Sequence, residues 1–263
     1  MKSRKEKIKI VIITGDNLRH RYFANFLSTK FNVLGLISER KEISFNQSEG
    51  IIRKHFLERE RKEEYYLGGN KEFRTDNVLC VQAGQVNSYK VFDWVAGLNP
   101  DFLILYGSSI IKEPFLSHFK DRIVNMHLGL SPYYRGSGTN FWPLVNKEPE
   151  CVGATIHLAI LKVDAGPILA QVRPCPDISD RCHDLGCKTI VAGTELMAKV
   201  LKDYDSGEIT PQSQSKKGKL YKQNDFNAEA VSKMWANFDN GMMEEYLENK
   251  ILRDKEYSIL CIS

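Results

Sequence analysis

The chain has 263 residues, of which 42% are hydrophobic and 27% are charged, and its formal net charge is +4. This length suits one domain or one domain with an appendage, and the composition excludes disordered, collagen-like and low-complexity classes. No apolar run approaches the roughly 18 residues of a membrane helix, and the run after the basic N-terminus is too short for a signal peptide, so we expect a cytoplasmic protein without a membrane partner.

Apolar runs alternate with helical patterns through the first half of the chain. A β-branched run at 8–14, a helical pattern at 18–30 and a second apolar run at 33–37 predict a βαβ unit. Further strands are predicted at 78–81, 102–106 and 123–126, with helices at 47–66 and 89–98. The order predicts an α/β fold with a doubly wound, mostly parallel sheet that binds ligands beyond the carboxyl ends of its strands.

The second half of the chain begins with a stretch rich in Gly, Ser, Pro and Tyr at 128–140, which predicts a functional loop. Paired strands are expected at 151–158 and 167–172, and helices at 187–204, 228–238 and 242–250. We predict a catalytic domain over 1–204 and a short helical C-terminal extension over 205–263. The extension is expected to pack on that domain or to pair two copies as a homodimer.

Three polar residues could carry chemistry. Asn125 and His127 are two apart at the end of a predicted strand, so their side chains share one face. Asp164 lies in a turn between the two later strands and could approach that strand end. Acyl transfer to an amine needs an oxyanion donor, which Asn125 can supply, and a base, which His127 can supply, while Asp164 would orient the imidazole.

An ordered set of motifs resembles the formyltransferases that use N10-formyltetrahydrofolate. The set consists of Asn125-x-His127 with Leu130, Pro132, Tyr134, Arg135 and Gly136, then Gly153-x-Thr155-Ile156-His157, then Asp164-x-Gly166-Pro167. The resemblance implies a Rossmann-like formyltransferase fold, N10-formyltetrahydrofolate as co-substrate, no metal, and Asn125, His127 and Asp164 as catalytic residues. It implies folate contacts from Tyr106, Gly107, Ser108, Ser109, Ile110, Ile111, Leu161 and Val163.

Departures from the family pattern bear on the acceptor. The first strand ends in Gly15 and Asp16 rather than a Gly- and Ser-rich phosphate cradle, which disfavours a purine-pathway substrate. No sizeable basic C-terminal domain follows, and charges of both signs are interspersed, so no nucleic-acid partner is expected. We expect a small-molecule amine acceptor, with a nucleotide-linked amino sugar as one candidate. Its expected contacts are Tyr133, Tyr134, Arg135, Gly136 and Trp142, with Phe141 as a further aromatic surface.

Other interpretations remain open at this stage. A hydrolase would use water in place of the amine, and a regulatory module would bind folate without turnover. His157 is interpreted as a satisfied, half-buried histidine, and the charge run at 53–64 as a solvated helix face. Arg19, His20 and Arg21 at a helix start oppose the helix dipole, which indicates a ligand or an acidic neighbour, but a solvated surface is the preferred interpretation. The six cysteines predict no disulfide, and the spacing of Cys175, Cys182, His183 and Cys187 disfavours a metal.

Overall fold

The computed structural model describes residues 7–40, 50–214 and 218–262. Within them, seven strands form the main sheet: β1 (Lys9–Thr14), β2 (Asn32–Arg40), β3 (Val78–Gln82), β4 (Phe102–Tyr106), β5 (Ile123–His127), β7 (Ala154–Leu158) and β8 (Ile168–Val172). A two-stranded parallel sheet joins β6 (Tyr134–Gly136) to β9 (Lys219–Tyr221). The predicted loop at 128–140 therefore contains a short strand, which pairs with a segment some 85 residues further along the chain.

The strands of the main sheet lie in the order β3-β2-β1-β4-β5-β7-β8. The pairs among β3, β2, β1, β4 and β5 are parallel, whereas β7 runs antiparallel to β5 and β8 runs antiparallel to β7. The sequence-based prediction of a mostly parallel α/β sheet is confirmed. Chain order reverses at β1, because β2 lies on one side of it and β4 on the other, and such a switch opens a crevice for ligands.

Helices cover both faces of the sheet. They are α1 (Leu18–Lys30), α2 (Gly50–Leu67), α3 (Tyr89–Leu98), α4 (Phe115–His118), α5 (Trp142–Val145), α6 (Cys182–Asp205), α7 (Ala228–Asp239), α8 (Met242–Glu248) and α9 (Lys250–Glu256). Alternate residues of β1 enter two separate cores, since successive side chains of a strand point to opposite faces. Ile10 and Ile12 pack with residues of α1 and α6, whereas Val11 and Ile13 pack with residues of α3 and α4.

The chain beyond α6 closes a third apolar core. Val231 and Met234 of α7 and Met243 of α8 are buried with the side chains of α5. Asn237 fixes this contact, because its Nδ2 donates to the carbonyl oxygens of Leu144 at 2.8 Å and Val145 at 3.1 Å. The division at residue 204 stays a prediction.

Several element boundaries differ from those predicted. The helix predicted at 187–204 begins five residues earlier, at Cys182, and the tail holds a third helix, α9, beyond the two expected. The helix predicted at 47–66 is observed as α2 from Gly50, and residues 47–49 lie outside the described residues. No helix in the described part of the chain combines the length and apolar character that crossing a bilayer requires.

Candidate active site

A cavity of about 970 Å³ opens at the carboxyl ends of β1, β4 and β5. Gly15 and Asn17, after β1, line one side of it, and Gly107, after β4, lines the next. Asn125 and His127 of β5 complete this edge. The cavity therefore occupies the position at which a doubly wound sheet binds its ligands.

The antiparallel register of β5 and β7 brings a second histidine to Asn125. Asn125 lies directly opposite His157, and the Nδ2 of Asn125 is 3.0 Å from the Nε2 of His157. The Nδ1 of His157 is 2.9 Å from the carbonyl oxygen of Leu158. A carbonyl oxygen only accepts, so Nδ1 carries a proton, and in that tautomer Nε2 accepts from the Asn125 amide. This hydrogen bond therefore determines the orientation of the Asn125 amide, whose nitrogen faces His157.

Asp164 approaches both histidines from the loop between β7 and β8. Its Oδ1 lies 3.3 Å from the Nδ1 of His127 and 3.7 Å from the Nε2 of His157. Gln214 holds this loop, because its Nε2 donates to the carbonyl oxygens of Asp164 at 3.0 Å and Gly166 at 2.8 Å. The structure thus brings the three predicted catalytic residues together.

Burial and charge set the protonation of the pair formed by His127 and Asp164. Burial lowers the pKa of His127, with the Asp164 carboxylate opposing this effect. Burial alone would raise the pKa of Asp164, but His127, His157 and Arg135 outweigh it and hold that pKa below its usual value. Near neutral pH the pair is therefore a neutral imidazole beside a carboxylate. The Nε2 of His127 is buried and has no hydrogen-bond partner within the described residues, so it is available to take a proton from a ligand.

A family model described as Formyl transferase matches residues 9–201. This chain belongs to that family. The family expectation drawn from its three motifs is confirmed, and the match covers every strand of the main sheet.

One curated relative is the methionyl-tRNA formyltransferase of Finegoldia magna, which is 35% identical over 121 residues. That match covers 45% of this chain and 38% of the relative, so it spans less than half of either protein. Among solved structures, a 4-N formyltransferase from Francisella tularensis superposes with a TM-score of 0.56 at 20% identity, over 88% of this chain and 87% of that one. An N-formyltransferase from Helicobacter canadensis superposes with a TM-score of 0.56 at 17% identity, over 87% of this chain and 80% of that one. These structural likenesses show a shared fold.

The segment predicted to contact folate borders the cavity in this family member. Tyr106, Gly107, Ser108, Ser109, Ile110, Ile111 and Val163 line it, whereas Leu161 is exposed and does not. Glu39 holds the segment by accepting from the backbone N–H of Ser109 at 2.6 Å, and Asn87 donates to the carbonyl oxygen of Ile110 at 2.9 Å. The N–H of Ser109 and the carbonyl oxygen of Ile110 are therefore occupied by hydrogen bonds within the protein, and these bonds fix the shape of the cavity wall.

Of the residues predicted to bind the acceptor, only Gly136 lines the cavity. Tyr134 is buried, and its hydroxyl donates to Glu148. Trp142 stacks on Tyr221 with ring centroids 4.2 Å apart, and its Nε1 donates to the carbonyl oxygen of Ser137. These rings pack against the strand β9 and are closed to a ligand, so the prediction that they stack on a sugar or base is wrong.

Tyr133 and Arg135 also lie outside the cavity wall. The Tyr133 hydroxyl donates to the carbonyl oxygen of Ser258 at 2.8 Å, so this side chain ties the loop to the C-terminal segment. Arg135 acts at longer range, because its charge helps to lower the pKa of Asp164. Phe141 is the aromatic residue of this loop that borders the cavity.

Two interpretations of charged residues require correction. The charge run of α2 is not wholly solvated, since Glu63 is buried and Arg59 lines the cavity. Arg19 is not solvated either, because its Nη1 donates to the Oε1 of Glu63 at 2.5 Å. A sequence signal existed: His55, Arg59 and Glu63 are four residues apart and therefore share one helix face.

The group of Cys175, Cys182, His183 and Cys187 is dispersed. Cys175 is exposed, Cys187 lines the cavity, and the His183 ring lies against His55 with centroids 4.4 Å apart. Throughout the described residues, no group of three His, Cys, Asp or Glu side chains has an arrangement that could hold a metal ion.

Proposed function

We propose that this protein transfers a formyl group from N10-formyltetrahydrofolate directly to the primary amine of a small acceptor. The observation that carries the proposal is the meeting of Asn125, His127 and Asp164 at one end of a cavity of about 970 Å³. A volume at the upper end of the usual range for ligand sites suits two reactants bound together. The chain's membership of the formyltransferase family supports the same reaction.

Each polar residue has a distinct role in the proposed reaction. The amine nitrogen attacks the formyl carbon, and the developing oxyanion receives the second N–H of the Asn125 amide, whose first N–H donates to His157. The Nε2 of His127 accepts the proton that the amine loses, and Asp164 stabilises the resulting imidazolium through Nδ1. The bond from the formyl carbon to N10 then breaks, the proton held on the Nε2 of His127 passes to N10, and tetrahydrofolate leaves.

The wall formed by residues 106–111 is proposed to receive the folate. Ile110 and Val163 line the cavity while remaining 48% and 46% exposed, so they offer an apolar surface at its rim. A flat heteroaromatic ring gains free energy by covering such a surface. The Helicobacter canadensis N-formyltransferase was solved with folinic acid, a folate, which supports this choice of co-substrate.

The acceptor is proposed to be a small amine, with a nucleotide-linked amino sugar as the candidate. The Helicobacter canadensis N-formyltransferase was solved with dTDP-3-aminofucose. The extension over 205–263 is proposed as an appendage of the catalytic domain, and pairing of two copies remains part of that proposal.

The test is spectroscopic detection of tetrahydrofolate release from N10-formyltetrahydrofolate, with and without a panel of nucleotide-linked amino sugars. We expect release only when an amine acceptor is present. His127→Ala should reduce turnover by about 10²–10⁴-fold and leave folate binding within a few fold, because it removes the base and not the folate wall. His118→Ala, at an exposed histidine outside the cavity, is the matched control. Equal release without any amine would identify a hydrolase and contradict the proposal.

A further inference from the structure

Two arginines face the same cavity as the proposed catalytic residues. Arg19 lies in the first turn of α1 and Arg59 in the middle of α2, and both line the cavity. Their side chains are 17% and 25% exposed. Arginine is the side chain best suited to bind carboxylate and phosphate oxygens, because its planar fork of N–H donors matches their geometry.

The two guanidinium groups approach one carboxylate. Glu63 Oε1 accepts from Arg19 at 2.5 Å and lies 3.7 Å from the Nε of Arg59, a longer ion pair. Burial and the repulsion of Arg19 lower the pKa of Arg59. The two guanidinium groups therefore lie close together at the cavity wall, where both could contact one oxyanion.

Other carboxylates of the cavity wall are engaged elsewhere. Asp16 accepts from the Nε and Nη2 of Arg21 at 3.1 and 3.0 Å. Glu39 accepts from the backbone N–H groups of Gly84 and Ser109 at 2.7 and 2.6 Å. These contacts offset part of the negative charge that would otherwise repel an anion from this wall.

A separate observation at this wall indicates a ligand. The hydroxyl of Tyr106 is buried and has no hydrogen-bond partner within the described residues, although the side chain borders the cavity. Arg19 is close enough for its charge to act on this hydroxyl. A buried hydroxyl without a partner is costly, and an oxyanion held by the neighbouring guanidinium would accept a hydrogen bond from it.

The usual anion site of this fold is closed in this chain. The imidazole of His20 covers the turn after β1, so that a Cβ at Gly15 would lie 2.5 Å from its Nδ1 and a Cβ at Gly107 would lie 2.4 Å from its Nε2. His20 Nδ1 also accepts from the backbone N–H of Asn17 at 3.2 Å. A phosphate at the start of α1 would have to displace this ring.

We infer that Arg19, Arg59 and the Tyr106 hydroxyl form a subsite for an oxyanion carried by the acceptor, either a phosphate or a carboxylate. The inference rests on the proposed function, since it assigns this wall to the acceptor. It narrows the acceptor to amines that bear an anionic group, and it places that group beside Arg19 and Arg59 rather than at the turn after β1, which the His20 ring covers.

The test is titration calorimetry of the full chain with inorganic phosphate, pyrophosphate and acetate in separate arms. We expect one class of anion to bind to the wild type, and the arms distinguish phosphate from carboxylate chemistry. Arg59→Gln should weaken that binding on the order of 10–100-fold, because a charged hydrogen-bonding group is lost. Arg59→Lys should bind the anion more tightly than Arg59→Gln, since lysine keeps the positive charge but lacks the planar set of N–H donors. Arg61→Gln, on α2 but with a side chain 78% exposed, should change nothing.

Glu63→Gln should change anion binding in the direction opposite to Arg59→Gln. Removing the carboxylate that competes for both guanidiniums should tighten anion binding, whereas a merely structural role for this cluster predicts no tightening. Melting temperatures identify a variant that fails to fold, and in that case Arg59→Lys and Tyr106→Phe carry the test. Absence of anion binding to the wild type, or binding that Arg59→Gln leaves unchanged, overturns the inference. Tetrahydrofolate binding, measured in parallel, reports on the proposed function separately, because it does not depend on the anion.

Discussion

Asn125 and His157 form a hydrogen-bonded pair across the antiparallel strands β5 and β7, with 3.0 Å between the amide Nδ2 and the imidazole Nε2. The pair orients the amide nitrogen within the cavity wall, and the Nδ1 of His157 is itself anchored by the carbonyl oxygen of Leu158. The proposed oxyanion donor, the Asn125 amide, is therefore held in place before any ligand binds. Such preorganisation is the main source of electrostatic catalysis in acyl transfer.

The first prediction concerns this pair. Asn125→Ala should reduce kcat by about 10²–10³-fold, because it removes the oxyanion donor, and should change folate binding little. His157→Phe should reduce kcat by about tenfold, because the amide remains but loses its anchor. Steady-state kinetics of both variants provide the measurement, with Asn32→Ala at an exposed position as the control. A larger loss in His157→Phe than in Asn125→Ala would contradict these roles.

The second prediction concerns the charge of Asp164. This carboxylate opposes the effect of burial on His127, so Asp164→Asn should lower the pKa of the imidazole further. Activity that requires neutral His127 rises with pH through that pKa, and its acidic limb should therefore move to lower pH. The kcat should fall by about 10²–10⁴-fold, since the imidazolium loses its stabilising partner.

The measurement is the pH dependence of kcat. The exposed Asp205→Asn variant should keep the wild-type profile. An acidic limb that stays in place in Asp164→Asn would show that Asp164 does not act through His127.

The third prediction concerns the backbone that positions Asp164. A Cβ at Gly166 would lie 1.7 Å from the carbonyl oxygen of Leu158, so Gly166→Ala must displace the loop. A shift of about 1 Å in a catalytic group can cost on the order of 10² in rate, and we expect a kcat loss of that size. Gly97→Ala, where a Cβ meets nothing within 4 Å, should leave kcat unchanged and raise stability by about 0.5–1 kcal/mol. Wild-type kcat in Gly166→Ala would rule out this positioning.

The sequence predicted the sheet, the cavity edge and three polar residues that the structure brings together, because those depend on local runs and on ordered motifs. It did not predict His157, since this role depends on the antiparallel register between β5 and β7, two strands some 30 residues apart. Nor did it predict that Tyr134 and Trp142 are closed to ligands. Their burial depends on β9, a three-residue strand whose partner lies far along the chain and whose sequence gives no periodicity.

The fourth prediction concerns stability in acid. His55 and His183 are buried against each other, and burial lowers their pKa values to about 4 and about 3. Near pH 5 the unfolded chain protonates both residues, whereas the folded chain protonates neither. Their contribution to stability is therefore fully present above the unfolded pKa of 6.5 and is lost as the pH falls below it. Each histidine should reduce the free energy of unfolding by up to about 1.4 kcal/mol per pH unit between roughly pH 6 and pH 4.

Urea unfolding at a series of pH values between about 7.5 and about 4 measures this slope. His183→Phe keeps a ring in the site without a titrating group. The free energy of unfolding of this variant should therefore fall less steeply with decreasing pH, by the contribution of one histidine. The His118→Asn variant, at an exposed histidine, is the control and should retain the wild-type slope. A slope that His183→Phe leaves unchanged would show that carboxylates, rather than this buried pair, govern the loss of stability in acid.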